Sequence, residues 1–422
     1  MDVKRICSLL LALTLLLQGC SWRTEPVPQE AEPDSEALPL ATPAPTPTPT
    51  PEPTVCPHPN WENGECLDCG LLCMHTEREK GLCVLCGDAC RHPEHDAAAV
   101  CSLCGEQGRH NYVYGACTVC RAKPVFEDRD LPEALRVPCE EKGTVETVKY
   151  TTHNYVKEEQ YGIVEEFEKE MSVYLPYGYD PAEKYDLLIL LHGLGGSEDY
   201  WLCEEQEYGQ WSGIMVSTVN MLDQMIASGQ CEKLIIACPT FYADEKNMET
   251  YDPQWDGRLF WPELRHDILP TLVERYSTYA ADSSEEAISA ARDHFGYAGL
   301  SMGSIITFQS VLPHCIDLFG WYGCLSGFGY DVSLLMHEVK TFETEKGQEY
   351  PIRYMFQTAG TMDAAWEEHW DGYNRMIRNW DKLTEGENTS FTVVQYARHD
   401  FKTWIIGLYN CLQVFFQLPA EG

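Results

Sequence analysis

The sequence predicts an α/β fold over its last two thirds: a doubly wound, mostly parallel sheet with helices on both faces. Three observations predict it. Short, continuously apolar runs such as "YDLLILLHG" from Tyr185 and "EKLIIACP" from Glu232 suit strands buried on both faces. Helical patterns alternate with them, as in "SGIMVSTVNMLDQMIASG" from Ser212 and "SSEEAISAARDHF" from Ser283. The alternation is kept over residues 143–422, long enough for one large α/β domain.

The elements follow in order. "TVETVKYTT" from Thr144 and "EMSVYLP" from Glu170 read as early strands, followed by the two apolar runs. "FWPELRHDILPTLVERY" from Phe260 reads as a packing helix, with Glu263 given no role. "SSEEAISAARDHF" opens with a serine cap and early acids, and the strand-like "GYAGL" follows it. "IRYMFQTAG" from Ile352 and "SFTVVQYA" from Ser390 close the list of strands.

The segments before this domain are of other kinds. Residues 1–20 carry Lys4 and Arg5, an apolar run from Ile6 to Leu17, and then Leu17-Gln18-Gly19-Cys20. The run has signal-peptide length and is short for a membrane span. Its end resembles the lipobox of bacterial lipoproteins, which implies lipidation of Cys20 and an outward-facing, membrane-anchored protein. An ordinary secretory signal is the alternative. Residues 21–55 are rich in Pro, Thr and Glu and cannot build a core, so they are expected to form an extended tether. At polyproline spacing they reach on the order of 100 Å. The chain has 66 Asp and Glu against 30 Lys and Arg, a net charge of −36. That balance repels phosphate backbones and argues against a nucleic-acid partner.

Eleven of the 20 cysteines fall between Cys56 and Cys120. They form four repeats over residues 56–121, with a period near 17 residues, each C-x-H, a loop, then C-x-x-C. Within units the sets are Cys56, His58, Cys66, Cys69; Cys73, His75, Cys83, Cys86; and Cys90, His92, Cys101, Cys104. Three thiolates and one imidazole make a tetrahedral zinc set. A unit this small needs a metal or disulfides to hold it. Joining each C-x-x-C to the next C-x-H would complete fewer sites. The fourth repeat has His110, Cys117 and Cys120, with Gly108 where the first cysteine would stand. About three structural zinc ions are expected. A disulfide framework is the alternative for an exported chain, but it leaves the repeated histidine unexplained. Residues 122–142 read as a connector.

The chemistry concentrates in the α/β part. "YAGLSMGSI" from Tyr297 contains Gly299-x-Ser301-x-Gly303 between a strand and a helix, the context of a nucleophile on a tight turn. "LLHGLGG" from Leu190 follows a buried strand, and its glycines let backbone amides approach a substrate oxygen. The amides of Leu194 and Met302 are the candidate oxyanion donors. A phosphate loop is the rival, but its lysine is absent. His192 reads as a structural part of this turn. Asp363 in "AGTMD" and His399 in "ARHDF" each sit just past a strand, in the order an acid and a base require. Asp400 adjoins His399 and cannot easily reach its ring. Glu367 and Glu368 are weaker acids for the role.

Together "LLHGLGGSEDYW", "YAGLSMGS", "AGTMD" and "ARHDFKTW" resemble the α/β-hydrolase esterases that include feruloyl and acetyl-xylan esterases, related to esterase D. The likeness covers about Gly143 to Leu418. It implies an α/β-hydrolase fold, with Ser301 as nucleophile, Asp363 as acid, His399 as base and no catalytic cofactor. Ser304 departs from the glycine common in that family. Trp201, Trp261, Trp321, Tyr322, Phe328 and Trp366 lie near the motifs and are expected either to stack on substrate or to fill the core. The expected function is deacylation of a carbohydrate ester, a small-molecule or polysaccharide substrate. The alternatives are an acyltransferase with the same triad and a surface-binding protein whose hydrolase domain is inactive.

Overall fold

The computed structural model describes residues 130–244, 252 and 255–417, with the backbone of six two-residue strands nearer the N-terminus. Those six strands form three antiparallel hairpins: β1 (Trp61–Glu62) with β2 (Glu65–Cys66), β3 (Arg78–Glu79) with β4 (Leu82–Cys83), and β5 (Tyr112–Val113) with β6 (Ala116–Cys117). They fall in the first, second and fourth repeats. Each has the same register, with Trp61 opposite Cys66, Arg78 opposite Cys83 and Tyr112 opposite Cys117. The signal segment with Cys20, the tether and the other predicted metal ligands lie outside the described residues.

The sheet of the α/β part has eight strands. In chain order these are β7 (Thr144–His153), β8 (Glu166–Leu175), β9 (Asp186–Leu191), β12 (Leu234–Cys238), β13 (Phe295–Leu300), β14 (Trp321–Leu325), β15 (Tyr354–Gly360) and β16 (Thr389–Val394). A small separate hairpin, β10 (Gln206–Glu207) with β11 (Met215–Val216), lies between β9 and β12 in the chain. The spatial order is β16-β15-β14-β13-β9-β12-β8-β7. β8 runs antiparallel to both neighbours, and every other pairing is parallel. This is the α/β-hydrolase fold expected from the sequence.

The central strand β9 is apolar after Asp186 because both of its faces are covered. Leu187, Ile189 and Leu191 enter one core, and Leu188 and Leu190 the other, all fully buried. The period of two in a strand sends alternate residues to opposite faces. Each such leucine contributes about 1.5–3 kcal/mol. The first core is completed by α3 and α5. Helix α3 comprises Phe260–Glu263, a π-helical stretch Leu264–Ile268 and then Leu269–Arg275. Helix α5 comprises Met302–Ile306, a π-helical stretch Thr307–Val311 and then Leu312–Cys315. The second core is covered by α2 (Thr218–Ala227) and α8 (Phe401–Leu412). Helices α1 (Tyr155–Tyr161), α4 (Glu285–Ala290), α6 (Val332–Lys346) and α7 (Trp366–Asn379) complete the set.

Three local readings change. The helix expected from Ser212 starts only at Thr218, because Gly213 takes a positive φ of 66° and Ser217 caps the helix by accepting from Asn220 N. Met215 and Val216 form β11 instead. The run read as the connector supplies Leu131 and Leu135 to the second core, both nearly fully buried. Strand β14 carries no run that the sequence singled out. The serine cap of α4 falls where expected, with Ser284 Oγ accepting from Ala287 N.

Candidate active site

Four parallel strands, β9, β13, β15 and β16, end at the same edge of the sheet, and the predicted residues follow their ends. At the end of β13, Ser301 has φ 50° and ψ −113°, a conformation side-chain-bearing residues seldom adopt. The surrounding glycines make this turn possible. A Cβ on Gly299 would lie 2.4 Å from the carbonyl carbon of Gly303, and one on Gly303 would lie 2.6 Å from the carbonyl oxygen of His192. The chain therefore reverses tightly against the end of β9. Ser301 N donates to Leu325 O (2.8 Å), and Ile305 N donates to Ser301 O (3.0 Å).

His399 bridges the serine and the acid. Its Nε2 lies 2.8 Å from Ser301 Oγ, and its Nδ1 lies 2.8 Å from Asp363 Oδ1. With Nδ1 protonated and donating to the carboxylate, Nε2 is the acceptor for the serine hydroxyl. Burial by itself would raise the Asp363 carboxyl. The hydrogen bond and charge of His399, with a further bond from Ala365 N, bring it below its ordinary value. Asp400 points elsewhere: its Oδ2 accepts from Gln210 N (3.1 Å). Glu367 and Glu368 stand exposed on the first turn of α7.

The loop after β9 passes beside the serine. A Cβ on Gly193 would lie 3.0 Å from Ser301 Cβ, so the backbone comes as close as glycine permits. Leu194 follows on this loop, and Met302 opens α5 beside Ser301. His192 is buried and structural: its Nδ1 donates to Gly193 O (2.7 Å), and its Nε2 accepts from Thr240 Oγ1 (3.0 Å). Burial pulls its pKa down to about 4, with the nearby Lys169 charge acting the same way. Tyr242 Oη accepts from Gly195 N (2.8 Å).

Behind this loop lies a group that the sequence reading left without a role. Lys169 Nζ pairs with Glu263 Oε1 at 2.6 Å, both side chains almost fully buried. The same ammonium donates to the carbonyls of Thr240 (3.1 Å) and Tyr242 (2.9 Å), and Tyr150 Oη donates to Glu263 Oε1 (2.6 Å). Glu263 and Lys169 thus fix the segment whose side chains grip His192 and Gly195.

A second brace supports the serine from the other side. A Cβ on Gly327 would lie 2.4 Å from Ser301 O. Gly327 N donates to His369 Nδ1 (3.1 Å), and His369 Nε2 donates to Gln357 Oε1 (3.1 Å). Ser304 Oγ donates to Gly327 O (2.6 Å), so the serine at this position makes a bond that glycine could not. Neither His369 nor Gly327 was foreseen. The only sequence signal was the small-residue run "SGFG" from Ser326.

The aromatic candidates divide. Trp201, Trp321, Tyr322 and Phe328 are buried in the two cores. Trp261 packs against His314, and Trp366 against Trp370. Among the described residues the large aromatic side chains most open to solvent are others, Trp211 at 82% and Tyr396 at 79%.

The sequence profile of the Esterase family, described as "Putative esterase", matches residues 165–412. Endo-1,4-beta-xylanase Y of Acetivibrio thermocellus is 32% identical over 199 residues, 47% of this chain and 16% of that protein. An endo-1,4-beta-xylanase/feruloyl esterase of Xylanibacter ruminicola is 24% identical over 238 residues, 55% of this chain and 27% of that protein. The chain thus spans less than a third of the length of these curated relatives. Among solved structures, a serine-to-alanine mutant of the feruloyl esterase module from Clostridium thermocellum, complexed with sinapinate, has a TM-score of 0.58 and 25% identity. The match covers 71% of this chain and 99% of that one. A ferulic acid esterase of Anaeromyces mucronatus shares the fold, with a TM-score of 0.51 and 23% identity over 69% of this chain and 98% of that one. The profile takes in more than half of the sequence, and the chain belongs to the Esterase family.

Proposed function

We propose that the protein deacylates carbohydrate esters of the feruloyl or acetyl-xylan kind, with Ser301 as nucleophile, His399 as base and Asp363 as the orienting acid. The observation that carries this reading is the line of two 2.8 Å contacts from Ser301 through His399 to Asp363, set on a strained turn. The carbohydrate part is supported by the relatives, which are named as xylanases and a feruloyl esterase.

In this mechanism His399 Nε2 takes the Ser301 hydroxyl proton as Oγ attacks the ester carbonyl. The carbonyl electrons move to oxygen, and the backbone amides of Leu194 and Met302 receive that charge. The bond to the alcohol then breaks, and His399 returns the proton to the departing oxygen. Water, deprotonated in turn by His399, attacks the acyl-serine. The acid leaves as His399 returns that proton to Oγ, which restores Ser301. Asp363 keeps the imidazole in the tautomer that presents a lone pair to the serine. Ser301→Ala is expected to lower kcat by at least about a thousandfold. Its circular dichroism should match that of the unchanged chain. Full turnover by this variant would exclude the assignment.

The N-terminal segments fit an exported role. Cys20 is proposed to carry the lipid anchor, residues 21–55 to act as the tether, and the repeats to hold about three structural zinc ions. The donor sets suit zinc, and the common register of the three hairpins suits one repeated unit. Mass spectrometry of the full chain tests both points. Acylation at Cys20 and bound zinc near three equivalents are expected. A free Cys20 would remove the anchor, and metal-free, disulfide-bonded repeats would remove the zinc.

A further inference from the structure

The direction of proton transfer divides the site into sides. The carbonyl oxygen turns toward the Leu194 and Met302 amides. The departing alcohol must lie within reach of His399 Nε2, because that atom returns its proton. Whatever flanks the His399 loop on the open side therefore meets the alcohol portion of the ester.

One residue of this loop, and one of a segment bonded to it, are unusual. Tyr396 stands three residues before His399 and is 79% exposed, with a positive φ of 56°. Its amide is held by Thr361 Oγ1 at 2.7 Å. Trp211 sits in the loop of the β10–β11 hairpin and is 82% exposed, with a positive φ of 62°. Its neighbour Gln210 N donates to Asp400 Oδ2 (3.1 Å), the residue next to His399. The base of this hairpin is fixed as well. Tyr208 Oη accepts from Leu131 N (3.0 Å), and the Lys402 ammonium lies 5.6 Å from the centre of the Tyr208 ring.

Among the described residues, five other than glycine have positive φ: Trp211, Ser301, Ser326, Tyr396 and Phe416. Ser301 forms the serine turn, and Ser326 follows β14 next to Gly327, which packs against that turn. Trp211 and Tyr396 are the two most exposed large apolar side chains of the described residues, and both are tied to the His399 loop. Bulky aromatics in this backbone region cost free energy, and water gains nothing from their exposed faces. Such outliers beside a catalytic loop point to a ligand.

We infer that Trp211 and Tyr396 form a stacking platform for the saccharide alcohol of the ester. A sugar ring has flat C–H faces for aromatic rings and a hydroxyl rim for water. The strong negative charge of the chain favours a neutral alcohol over an anionic one. This inference rests on the esterase reading of Ser301 and specifies which half of the substrate these residues recognise.

The test compares two esters of one acid, feruloylated arabinoxylo-oligosaccharide and methyl ferulate, with an acetyl pair in parallel (acetylated xylo-oligosaccharide and p-nitrophenyl acetate). Trp211→Ala and Tyr396→Ala are expected to lower kcat/KM for the oligosaccharide ester about fivefold to tenfold, through KM, and further in combination. The small esters should change less than about twofold, and Trp211→Phe should recover most of the loss. Equal losses on both ester sizes, or unchanged oligosaccharide kinetics beside normal small-ester turnover, would overturn the platform and leave the esterase reading standing. A wild-type chain inert toward all four esters would overturn the esterase reading, and the platform with it.

Discussion

The loop after β9 and the loop after β16 both reach the serine, but they are built in opposite ways. The first, from His192 to Gly196, is anchored from behind. Thr240 and Tyr242 hold it, and the buried Lys169–Glu263 pair holds them. The second, from Gln395 to Asp400, carries the half-exposed His399 and the exposed Tyr396. The difference fits what the proposed mechanism asks of each. Amides that receive charge act best when already fixed, since no reorganisation is then needed at the moment of reaction. A loop that meets substrate and passes protons has to stay open.

The largest expected effect comes from breaking the anchor. Glu263→Gln would leave the Lys169 ammonium buried without its counter-charge. Removing one partner of such a pair costs about 3–5 kcal/mol. Chemical denaturation should show that loss, and kcat should fall on small esters as the loop loosens. If stability drops but the residual folded enzyme keeps its full kcat, the pair supports the fold alone and has no part in positioning the amides.

The same contrast governs what the sequence disclosed. Gly299 was legible because the contact that requires it, with Gly303, lies inside a local turn at a strand end; Gly303 was legible as part of the same motif, although the contact that requires it comes from His192. Asp363 and His399 were legible because each follows a recognisable strand. His192 was legible as structural because it lies inside the turn itself. The Lys169–Glu263 pair joins residues far apart in the chain, and no local pattern announces such a partnership. Strand β14, "WYGCL", is short, holds no β-branched residue and is broken by a glycine, so it lacks the aliphatic run that marks β9 and β12. The aromatics failed for a related reason. Closeness to a motif in sequence does not say which face of the sheet a ring enters. Trp201 and Trp321 therefore went to the core, while Trp211, just before the segment read as helical, came out exposed.

The smaller expected effect separates the histidines by protonation. Burial holds His192 near pKa 4 and His369 near 3, against about 6.5 for an exposed histidine. Both shifts are downward, so the unfolded chain binds protons that the folded chain refuses. Stability contributed by these groups is complete above pH 6.5 and falls as the solution is acidified toward their folded values. At pH 5 the loss is about 2 kcal/mol for each, relative to neutral pH. Asp363, also shifted down, adds its own loss only below the ordinary carboxylate range, so it stays out of this window. Denaturation midpoints between pH 7 and 5 should therefore fall for the unchanged chain. His192→Gln, which removes one of these proton acceptors, should fall less steeply by about 2 kcal/mol over the same range. Parallel curves for the two proteins would mean that His192 takes up a proton in the folded state. Its bond to Thr240 would then reverse, with Nε2–H donating to the threonine oxygen, because a protonated ring has no lone pair left to accept the hydroxyl proton.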